Sequence, residues 1–285
     1  MAKSPINYFG GKFYQAPEII SMFPEHKVYV EVFGGAGHVL FTKPRSDIEV
    51  YNDIDSGLIN FFGILRDPLQ AKELHRLLQL TPYSRKEFKE CGQTWEKEPN
   101  NIERARRWYV SLMQSFSKSI GGKENMGWSF SKSQSRRGMS QCTSQWLSKI
   151  DDNLPEAVER LRNVQIENSD YKDLIATYDG KDTLFYLDPP YVHDTRKMTF
   201  TYEHEMSDEE HNKMIDILLK IKGKALVSGY DHKIYDRLVQ NRWQRFSIGR
   251  YDKRSMSHNT KKDKGEEIVW INYDLNQPDT NLFRD

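Results

Sequence analysis

Apolar and polar positions along the first third of the chain follow the pattern of a βαβ unit. A short β-branched run, "KVYVEVF", is followed by the glycine-rich turn "GGAG" and by the helix-like segment "AGHVLFTK". A second strand pattern, "IEVYNDID", then leads into the helical pattern of "SGLINFFGIL". Strand, turn, helix and strand in this order predict a parallel sheet.

The middle of the chain has a different pattern. From about 67 to 162 the sequence is charged and largely helical in spacing, and it is broken by the polar loop "SKSIGGKENMGWSFSKSQSRRGMSQ". Strand and helix patterns then resume, and the chain ends in two strand patterns joined by a basic loop. We therefore predict an α/β fold with a mostly parallel sheet and a C-terminal antiparallel hairpin. The sheet domain is expected at 1–66 and 163–285, and a mainly helical insertion at 67–162.

Charge is balanced overall but uneven along the chain. The 285 residues carry 42 Lys and Arg against 41 Asp and Glu, a net charge of +1 that indicates no particular partner. Arg104–Arg137 nevertheless holds eight basic residues and one acid (+7), and Arg250–Lys264 holds six basic residues and two acids (+4). On composition alone, the polar loop of the insertion fits a solvated surface loop as well as a functional one.

Cysteine use and apolar runs indicate the compartment. Cys91 and Cys142 form neither a CxxC pair nor a metal-ligand spacing, which is typical of a reducing environment. The start "MAKSPINYFGG" lacks the apolar core of a signal peptide. No apolar run approaches the roughly 20 residues that span a bilayer. We expect a soluble, cytoplasmic protein.

A glycine turn and an acid indicate a nucleoside site. Gly34, Gly35 and Gly37 follow the first predicted strand, where glycines let a ligand approach the backbone. Their spacing, FxGxG, differs from GxGxxG and argues against a dinucleotide. Asp53, at the end of the next strand, could accept both hydroxyls of a ribose. The alternative for Asp53 is an N-cap of the helix that begins near Ser56.

The segment "YLDPPYV" places Asp188 at what we expect to be an exposed strand end. Ligands bind at the carboxyl ends of strands in open α/β sheets, and the two prolines stiffen the turn. The Asp188 carboxylate and the carbonyls of Pro189 and Pro190 are acceptors suited to a planar amino group, and Tyr191 offers an aromatic face. These residues predict a site for the exocyclic amine of a nucleobase. The alternative is a turn in which Asp188 caps the next element.

The motifs "NYFGGK", "VEVFGGAG", "YNDID" and "DPPY" stand in the order and spacing of the DNA adenine methylase (Dam-type, D12 class) family. The resemblance covers nearly the whole chain. It implies a Rossmann-like methyltransferase sheet that uses S-adenosylmethionine. The sequence itself contains no metal-ligand cluster, and we expect no metal. The resemblance also implies methyl transfer to the 6-amino group of adenine in double-stranded DNA, by base flipping and direct transfer. The source would be a prokaryote or a phage, with or without a restriction partner and with no obligatory protein partner.

The resemblance also implies roles for individual residues. The target adenine would be held by Asp188, Pro189, Pro190 and Tyr191. The cofactor would be contacted by Tyr8, Lys12 (near its carboxylate), Phe33, Gly35, Gly37, Asp53 (at its ribose), Asp170 and Tyr171 (near its adenine), and Asp188. The loop "GGKENMGWSFSKSQSRRG" occupies the place of the family's DNA-reading hairpin, and "KRSMSHNTKKDKGEEIVWIN" that of its basic loop and last strands. DNA contacts are therefore expected from Lys118, Lys132, Arg136, Arg137, Lys253 and Arg254.

Three alternatives stay open on the sequence. A cytosine-amine methyltransferase would bind an amine with the same two hydrogens. A methyltransferase acting on a protein amide usually has Asn where this chain has Asp188, and it needs no basic insertion. A catalytically inactive DNA-binding module would not require Asp188, Asp53 and the glycines together.

Overall fold

The computed structural model describes residues 2–8, 10–116, 127–192, 206–252 and 264–275, with the side chains of 250–252, 264 and 265 excluded. The strands found there are β1 (Val28–Glu31), β2 (Ile48–Asn52), β3 (Ser135–Arg136), β4 (Met139–Ser140), β5 (Val164–Glu167), β6 (Thr183–Leu187), β7 (Lys224–Tyr230), β8 (Gln244–Asp252) and β9 (Lys264–Ile271). The α-helices are α1 (Ala16–Ser21), α2 (His38–Thr42), α3 (Ser56–Arg66), α4 (Pro68–Leu80), α5 (Arg85–Thr94), α6 (Asn101–Met113), α7 (Gln141–Ser148), α8 (Leu154–Leu161), α9 (Tyr171–Tyr178), α10 (Asp208–Leu218) and α11 (Asp236–Gln240).

Seven strands form one sheet in the order β5-β2-β1-β6-β7-β9-β8. The first five are parallel, whereas β9 pairs antiparallel with both β7 and β8. All five residues of β6 are buried, as expected for a central strand covered on both faces. The predicted α/β fold, with a mostly parallel sheet and a C-terminal antiparallel hairpin, is confirmed.

Helices cover both faces of the sheet because side chains alternate along each strand. In β6, Leu184 and Tyr186 point into one hydrophobic cluster, which also contains buried side chains of α2, α3, α6 and α8. Phe185 and Leu187 point into a second cluster, with side chains of α9, α10 and α11. The result is a three-layer arrangement whose strand ends are left for ligand contacts.

The helices of 68–161 share the first of these clusters. Phe61 of α3 stacks on Tyr109 of α6, with ring centroids 5.1 Å apart and planes at 16°, and lies 5.3 Å from Trp108. Buried residues of α4, α6, α7 and α8 belong to the same cluster as the strands. The division into two domains at 67 and 162 stays a prediction.

Polar residues at the helix starts supply hydrogen bonds that the first turn lacks. Ser207 accepts from the amide of Glu210, so the predicted capped helix at α10 is confirmed. Asn100 caps α6 in the same way. Within the described part of the chain, no helix has the length and apolar character needed to cross a membrane.

Candidate active site

A cleft of about 110 Å³ opens at the carboxyl ends of β1, β2 and β6. Its lining comes from four segments that are distant in sequence, namely residues 8 and 10–12, 31 and 33–39, 53–55, and 186 and 188–190. The four motifs of the sequence therefore meet at one edge of the sheet, the edge at which open α/β sheets bind ligands.

The glycine turn after β1 leaves space on the cleft side. Gly35 and Gly37 have φ values of 48° and 65°, in the left-handed region that glycine adopts without strain. A Cβ on Gly34 would lie 2.2 Å from Cε2 of Tyr51, so no larger residue fits there. A Cβ on Gly35 would meet nothing nearer than Cδ1 of Tyr8, at 3.9 Å. Gly35 lines the cleft, and bare backbone is thus presented to a ligand.

Asp53 is bound to the glycine turn. Its Oδ2 accepts from the amide of Gly35 at 2.8 Å, and its Oδ1 accepts from the amide of Asp55 at 2.9 Å. The N-cap of α3 is Asp55, whose Oδ1 accepts from the amides of Gly57 and Leu58 at 2.8 and 3.1 Å. The alternative that Asp53 caps this helix is wrong. Asp53 instead lies in the cleft wall, held in place by two backbone amides.

Asp188 follows β6 and is less exposed than we expected from the sequence. Its side chain is 18% exposed, because the segment before α1 brings Lys12 against the strand end. Oδ1 lies 3.0 Å from Nζ of Lys12 and accepts from the hydroxyl of Ser228 at 3.1 Å. Among the residues with described positions, no group donates to Oδ2. One carboxylate oxygen is therefore committed and the other has acceptor capacity left.

Lys12 is the centre of a buried charge cluster. Its Nζ contacts Oδ1 of Asp188 at 3.0 Å and Oε1 of Glu267 at 2.6 Å, and it donates to the hydroxyl of Tyr191. Burial lowers the pKa of Lys12, but the charges of Asp188 and Glu267 outweigh it and hold the pKa well above its usual value. Lys12 is a cation at neutral pH. The predicted contact of Lys12 with a cofactor carboxylate stays a prediction.

Two acidic groups of the cleft differ in protonation. Burial raises the pKa of Asp188 to about 6, an effect opposed by Lys12 and supported by the charge of Glu267. Burial also raises the pKa of Glu31 to about 8, opposed by the hydrogen bond from the hydroxyl of Tyr29 at 2.7 Å. At pH 7 Asp188 is therefore an ionised acceptor, whereas Glu31 is mostly neutral.

An aromatic pair stands beside Asp188. The rings of Tyr191 and Tyr230 have centroids 4.3 Å apart and planes at 39°. Nζ of Lys12 lies 4.7 Å from the centroid of the Tyr191 ring. Tyr191 does not line the cavity itself, and its ring is held next to Asp188 by the lysine and the second tyrosine.

Of the four further residues assigned to the cofactor, two line the cleft. Tyr8 lines it and donates to Oδ2 of Asp55 at 3.0 Å. Phe33 lines it as well, with its ring centroid 5.8 Å from that of Tyr171. Asp170 caps α9, and neither Asp170 nor Tyr171 is among the lining residues. The roles of these residues stay predictions.

Comparison with known proteins points to one family. Residues 8–256 match the model of the D12 class N6 adenine-specific DNA methyltransferase family. The chain belongs to that family. The type II methyltransferase M.FokI of Planomicrobium okeanokoites is 22% identical to the chain over 283 residues, which are 95% of this chain and 43% of that protein. The chain thus spans less than half the length of this curated relative.

Family membership confirms the resemblance and the enzyme class inferred from the four motifs. The DPPY turn was predicted to bind the reacting amine, and this role stays a prediction. The predicted alternatives of a protein-amide enzyme and an inactive module have no support from the comparison.

The basic residues predicted to contact DNA fall into two groups. Lys132, Arg136 and Arg137 are exposed, and the last two lie on the hairpin β3–β4. Arg137 and Gly138 at its turn have φ values of 54° and 74°, as in a two-residue type I′ turn. The other predicted contacts lie outside the described residues, namely Lys118, Lys253 and Arg254.

The charge of +7 counted for this region overstates its attraction for DNA. Arg106 pairs with Glu87 and Glu103, at 2.6 and 2.7 Å, and Arg107 pairs with Glu98 and Glu103, at 3.0 and 2.8 Å. These three acids lie outside Arg104–Arg137, so counting along the sequence missed them. The charges of both arginines are thus balanced by acids of the protein itself.

Sequence reasoning missed four residues of the site: Glu31, Ser228, Tyr230 and Glu267. Glu31 and Glu267 are 2% and 1% exposed and stand within the apolar runs "VYVEVF" and "EEIVWI". An acid inside an apolar strand pattern is rare unless a partner neutralises it, and this signal could have identified both. Ser228 and Tyr230 carry no such signal. The described residues contain no group of three or more His, Cys, Asp and Glu side chains arranged for a metal ion.

Proposed function

We propose that this chain transfers a methyl group from S-adenosylmethionine to the 6-amino group of adenine in double-stranded DNA, with the target base rotated out of the helix. The observation that carries the proposal is the single cleft that contains Gly35, Asp53 and Asp188 at the carboxyl edge of the sheet. A nucleoside subsite thereby lies next to an acceptor for an amine. Membership of the D12 class supports adenine in DNA as the substrate.

The residues present fit the nucleoside part of S-adenosylmethionine. Gly35 has no side chain and leaves room in the cleft, where a Cβ would meet no atom closer than 3.9 Å. Asp53 is fixed by two amides, and a carboxylate with about four lone-pair sites can still accept from the ribose hydroxyls. When bound, S-adenosylmethionine would supply an electrophilic methyl group: the amine nitrogen would bond to the methyl carbon as the carbon–sulfur bond breaks, S-adenosylhomocysteine would leave, and the nitrogen would lose one proton to solvent.

Asp188 and Pro189 orient the amine. Oδ2 of Asp188, which has no donor among the described residues, and the carbonyl of Pro189 would each accept one hydrogen of the 6-amino group. The nitrogen lone pair is then directed away from both acceptors and toward the methyl donor, so much of the rate acceleration comes from positioning. An ionised Asp188 also stabilises the positive charge that develops on the nitrogen during transfer.

Aromatic side chains compensate for the unstacking of the base. Rotating a base out of the duplex costs a few kcal/mol, and stacking on an aromatic ring returns roughly 1–3 kcal/mol per base. Tyr191 and Tyr230 form an aromatic pair beside Asp188, where an extrahelical adenine would lie. The exposed Arg136 and Arg137 on the hairpin would contact the DNA around it.

The test is the product formed on DNA from a methylation-deficient host. The purified chain and S-adenosylmethionine should yield N6-methyladenine, and no N4-methylcytosine, by mass spectrometry of the nucleosides. At saturating S-adenosylmethionine, Asp188→Asn should lower the single-turnover rate by on the order of 100- to 1,000-fold. Asp231→Asn changes an exposed acid paired with Arg245, and it should match the unmodified chain. Methylated cytosine, or full activity of a folded Asp188→Asn protein, would contradict the proposal.

A further inference from the structure

The buried cluster at the cleft has an unusual charge balance. One ammonium, that of Lys12, faces two carboxylates, those of Asp188 and Glu267. Lys12 is 3% exposed and Glu267 is 1% exposed. Buried charges destabilise a fold unless they are well paired, so a surplus negative charge at this place points to a role other than stability.

The three partners of Lys12 use the full donor capacity of its ammonium. A lysine carries three N–H donors, and here they serve Asp188, Glu267 and the hydroxyl of Tyr191. Glu267 lies opposite Tyr230 in the antiparallel pair of β7 and β9. The strand pairing therefore fixes Glu267, and Glu267 fixes the direction of the ammonium.

We propose that Glu267 is a positioning residue for methyl transfer: it holds Lys12 between Asp188 and Tyr191, so that Oδ1 of Asp188 is occupied and Oδ2 is kept for the amine. The inference rests on the proposed function of Asp188 as the acceptor of the amine. Ser228 supports it, since its hydroxyl donates to the same oxygen, Oδ1, at 3.1 Å. Glu267 itself does not line the cleft. It acts through Lys12 and through the hydroxyl of Tyr191, from which its Oε2 accepts at 3.3 Å.

The same geometry couples Glu267 electrostatically to Asp188. Glu267 raises the pKa of Asp188 and Lys12 lowers it, so the two neighbours have opposite effects. The other titratable groups that interact with or lie next to Asp188 are neutral at pH 6, since all are tyrosines except Glu31, whose pKa is about 8. These groups are Glu31, Tyr186, Tyr191, Tyr230 and Tyr235. Removing a charge at Glu267 or at Lys12 must therefore move the titration of Asp188 in opposite directions.

Two substitutions of Glu267 separate charge from position. Glu267→Gln keeps an acceptor for Lys12 but removes the charge, so most of the maximal single-turnover rate should remain. In the pH–rate profile, the rate should fall at low pH as Asp188 is protonated; we call this part of the profile the acid limb. For Glu267→Gln the acid limb should shift by on the order of one pH unit to lower pH, so the rate at a given pH on the limb changes about tenfold. Glu267→Ala removes the acceptor, and the maximal rate should fall by on the order of ten- to a hundredfold. Glu266→Gln and Glu266→Ala, at an exposed neighbour that accepts from Ser247, should leave both quantities unchanged.

Lys12→Met should shift the acid limb in the opposite direction from Glu267→Gln. Loss of the cation should move the acid limb to higher pH by roughly one to three units. The double variant Lys12→Met/Glu267→Gln should fall between the two single variants. If Glu267 served only in folding, its substitution would lower the melting temperature without moving the acid limb of the pH–rate profile.

A titration without substrate keeps this inference separate from the proposed function. With [4-¹³C]aspartate labelling, the carboxyl resonance of Asp188, identified by its absence in Asp188→Asn, reports the pKa directly. Glu267→Gln should lower that pKa and Lys12→Met should raise it, whether or not the chain methylates DNA. If the unmodified chain makes no N6-methyladenine, the proposed function fails while the titration still decides the coupling. An unchanged Asp188 titration in Glu267→Gln, or equal maximal rates in Glu267→Ala and Glu266→Ala, would overturn the inference.

Discussion

Two buried charge clusters lie at opposite ends of the strands and differ in how completely their carboxylates are satisfied. At the amino end of β2, Glu49 accepts from Lys43 at 2.5 Å and from Arg160 with both carboxylate oxygens, so one acid has two cations. At the carboxyl end of β6, Asp188 and Glu267 share one cation, Lys12. The first cluster has all its acceptors in use, and the second keeps Oδ2 of Asp188 without a donor from the described residues.

The pKa directions follow from this difference. Burial raises the pKa of Glu49, but hydrogen bonds from Arg160 and Lys43 outweigh it, so the net shift is downward. Burial raises the pKa of Asp188 to about 6, because a single cation is offset by the charge of Glu267. A buried carboxylate with complete pairing joins α8 to the sheet, whereas one with incomplete pairing is available to a ligand. The positions of the two acids agree with this difference: Asp188 lies at the carboxyl end of its strand, where ligands bind in parallel sheets, and Glu49 lies at the amino end.

The largest effect on stability is expected from the amino-end cluster. Arg160→Met removes the bidentate partner of Glu49 and leaves a buried acid with one cation. Losing one partner of a buried pair costs about 3–5 kcal/mol in the free energy of unfolding, measured by urea denaturation. Arg162→Met, two residues on, breaks an exposed pair with Glu159 and should cost less than about 1 kcal/mol. If both variants lost the same free energy of unfolding, the claim that the buried pair of Arg160 and Glu49 stabilises the fold would be wrong.

A smaller effect, on cofactor affinity, should come from the carboxyl end of β2. Asp53→Ala removes a charged acceptor from the cleft and should weaken binding of S-adenosylmethionine by about 1.5–3 kcal/mol, as measured by calorimetry. Asp47→Ala, just before the same strand and at its amino end, is the matched control and should bind the cofactor normally. Unchanged affinity of a folded Asp53→Ala protein would remove Asp53 from the site.

The smallest effects should come from exposed charges. Arg136 and Arg137 form no ion pair with the described residues and lie on a hairpin, unlike the paired arginines of α6. A lost phosphate contact weakens binding to all DNA sequences and lowers the salt slope by roughly one, whereas a lost base contact reduces discrimination by roughly 1–3 kcal/mol. We expect Arg136→Ala or Arg137→Ala to reduce affinity for cognate DNA more than for other DNA. Lys132→Ala, in the same loop, is measured in the same way, so that its losses of affinity for cognate and for other DNA can be compared with those of the two arginine variants.

The control for DNA binding is Lys213→Ala, which changes an exposed lysine of α10 paired with Glu209 and Glu210. Its affinity for both DNAs should equal that of the unmodified chain at two salt concentrations. If Lys132, Arg136 and Arg137 variants all lose affinity equally for both DNAs, sequence is read elsewhere.

Much of the fold could be predicted from the sequence because its signals are local. The buried run "TLFYL", the glycine turn and the capped helix α10 each depend on neighbouring residues, and the structure has all three. The pairing of Lys12 with Glu267 could not be predicted, since 255 residues separate them and only the sheet order brings them together. The partial burial of Asp188 was missed for the same reason. Counting charge along the chain failed in α6 because Glu87 of α5 and Glu98 of the segment that follows α5 pair with Arg106 and Arg107.

The pH dependence of methyl transfer tests the central claim that Asp188 acts as an ionised acceptor. The folded protein raises the pKa of Asp188 to about 6, so protonation removes the acceptor as pH falls through that value. The single-turnover rate of the unmodified chain should therefore be constant above about pH 7 and fall about tenfold per pH unit below pH 6. Asp188→Asn should be slow at every pH and lack this limb. A flat profile between pH 5 and 8 for the unmodified chain, or the same limb in Asp188→Asn, would contradict the account.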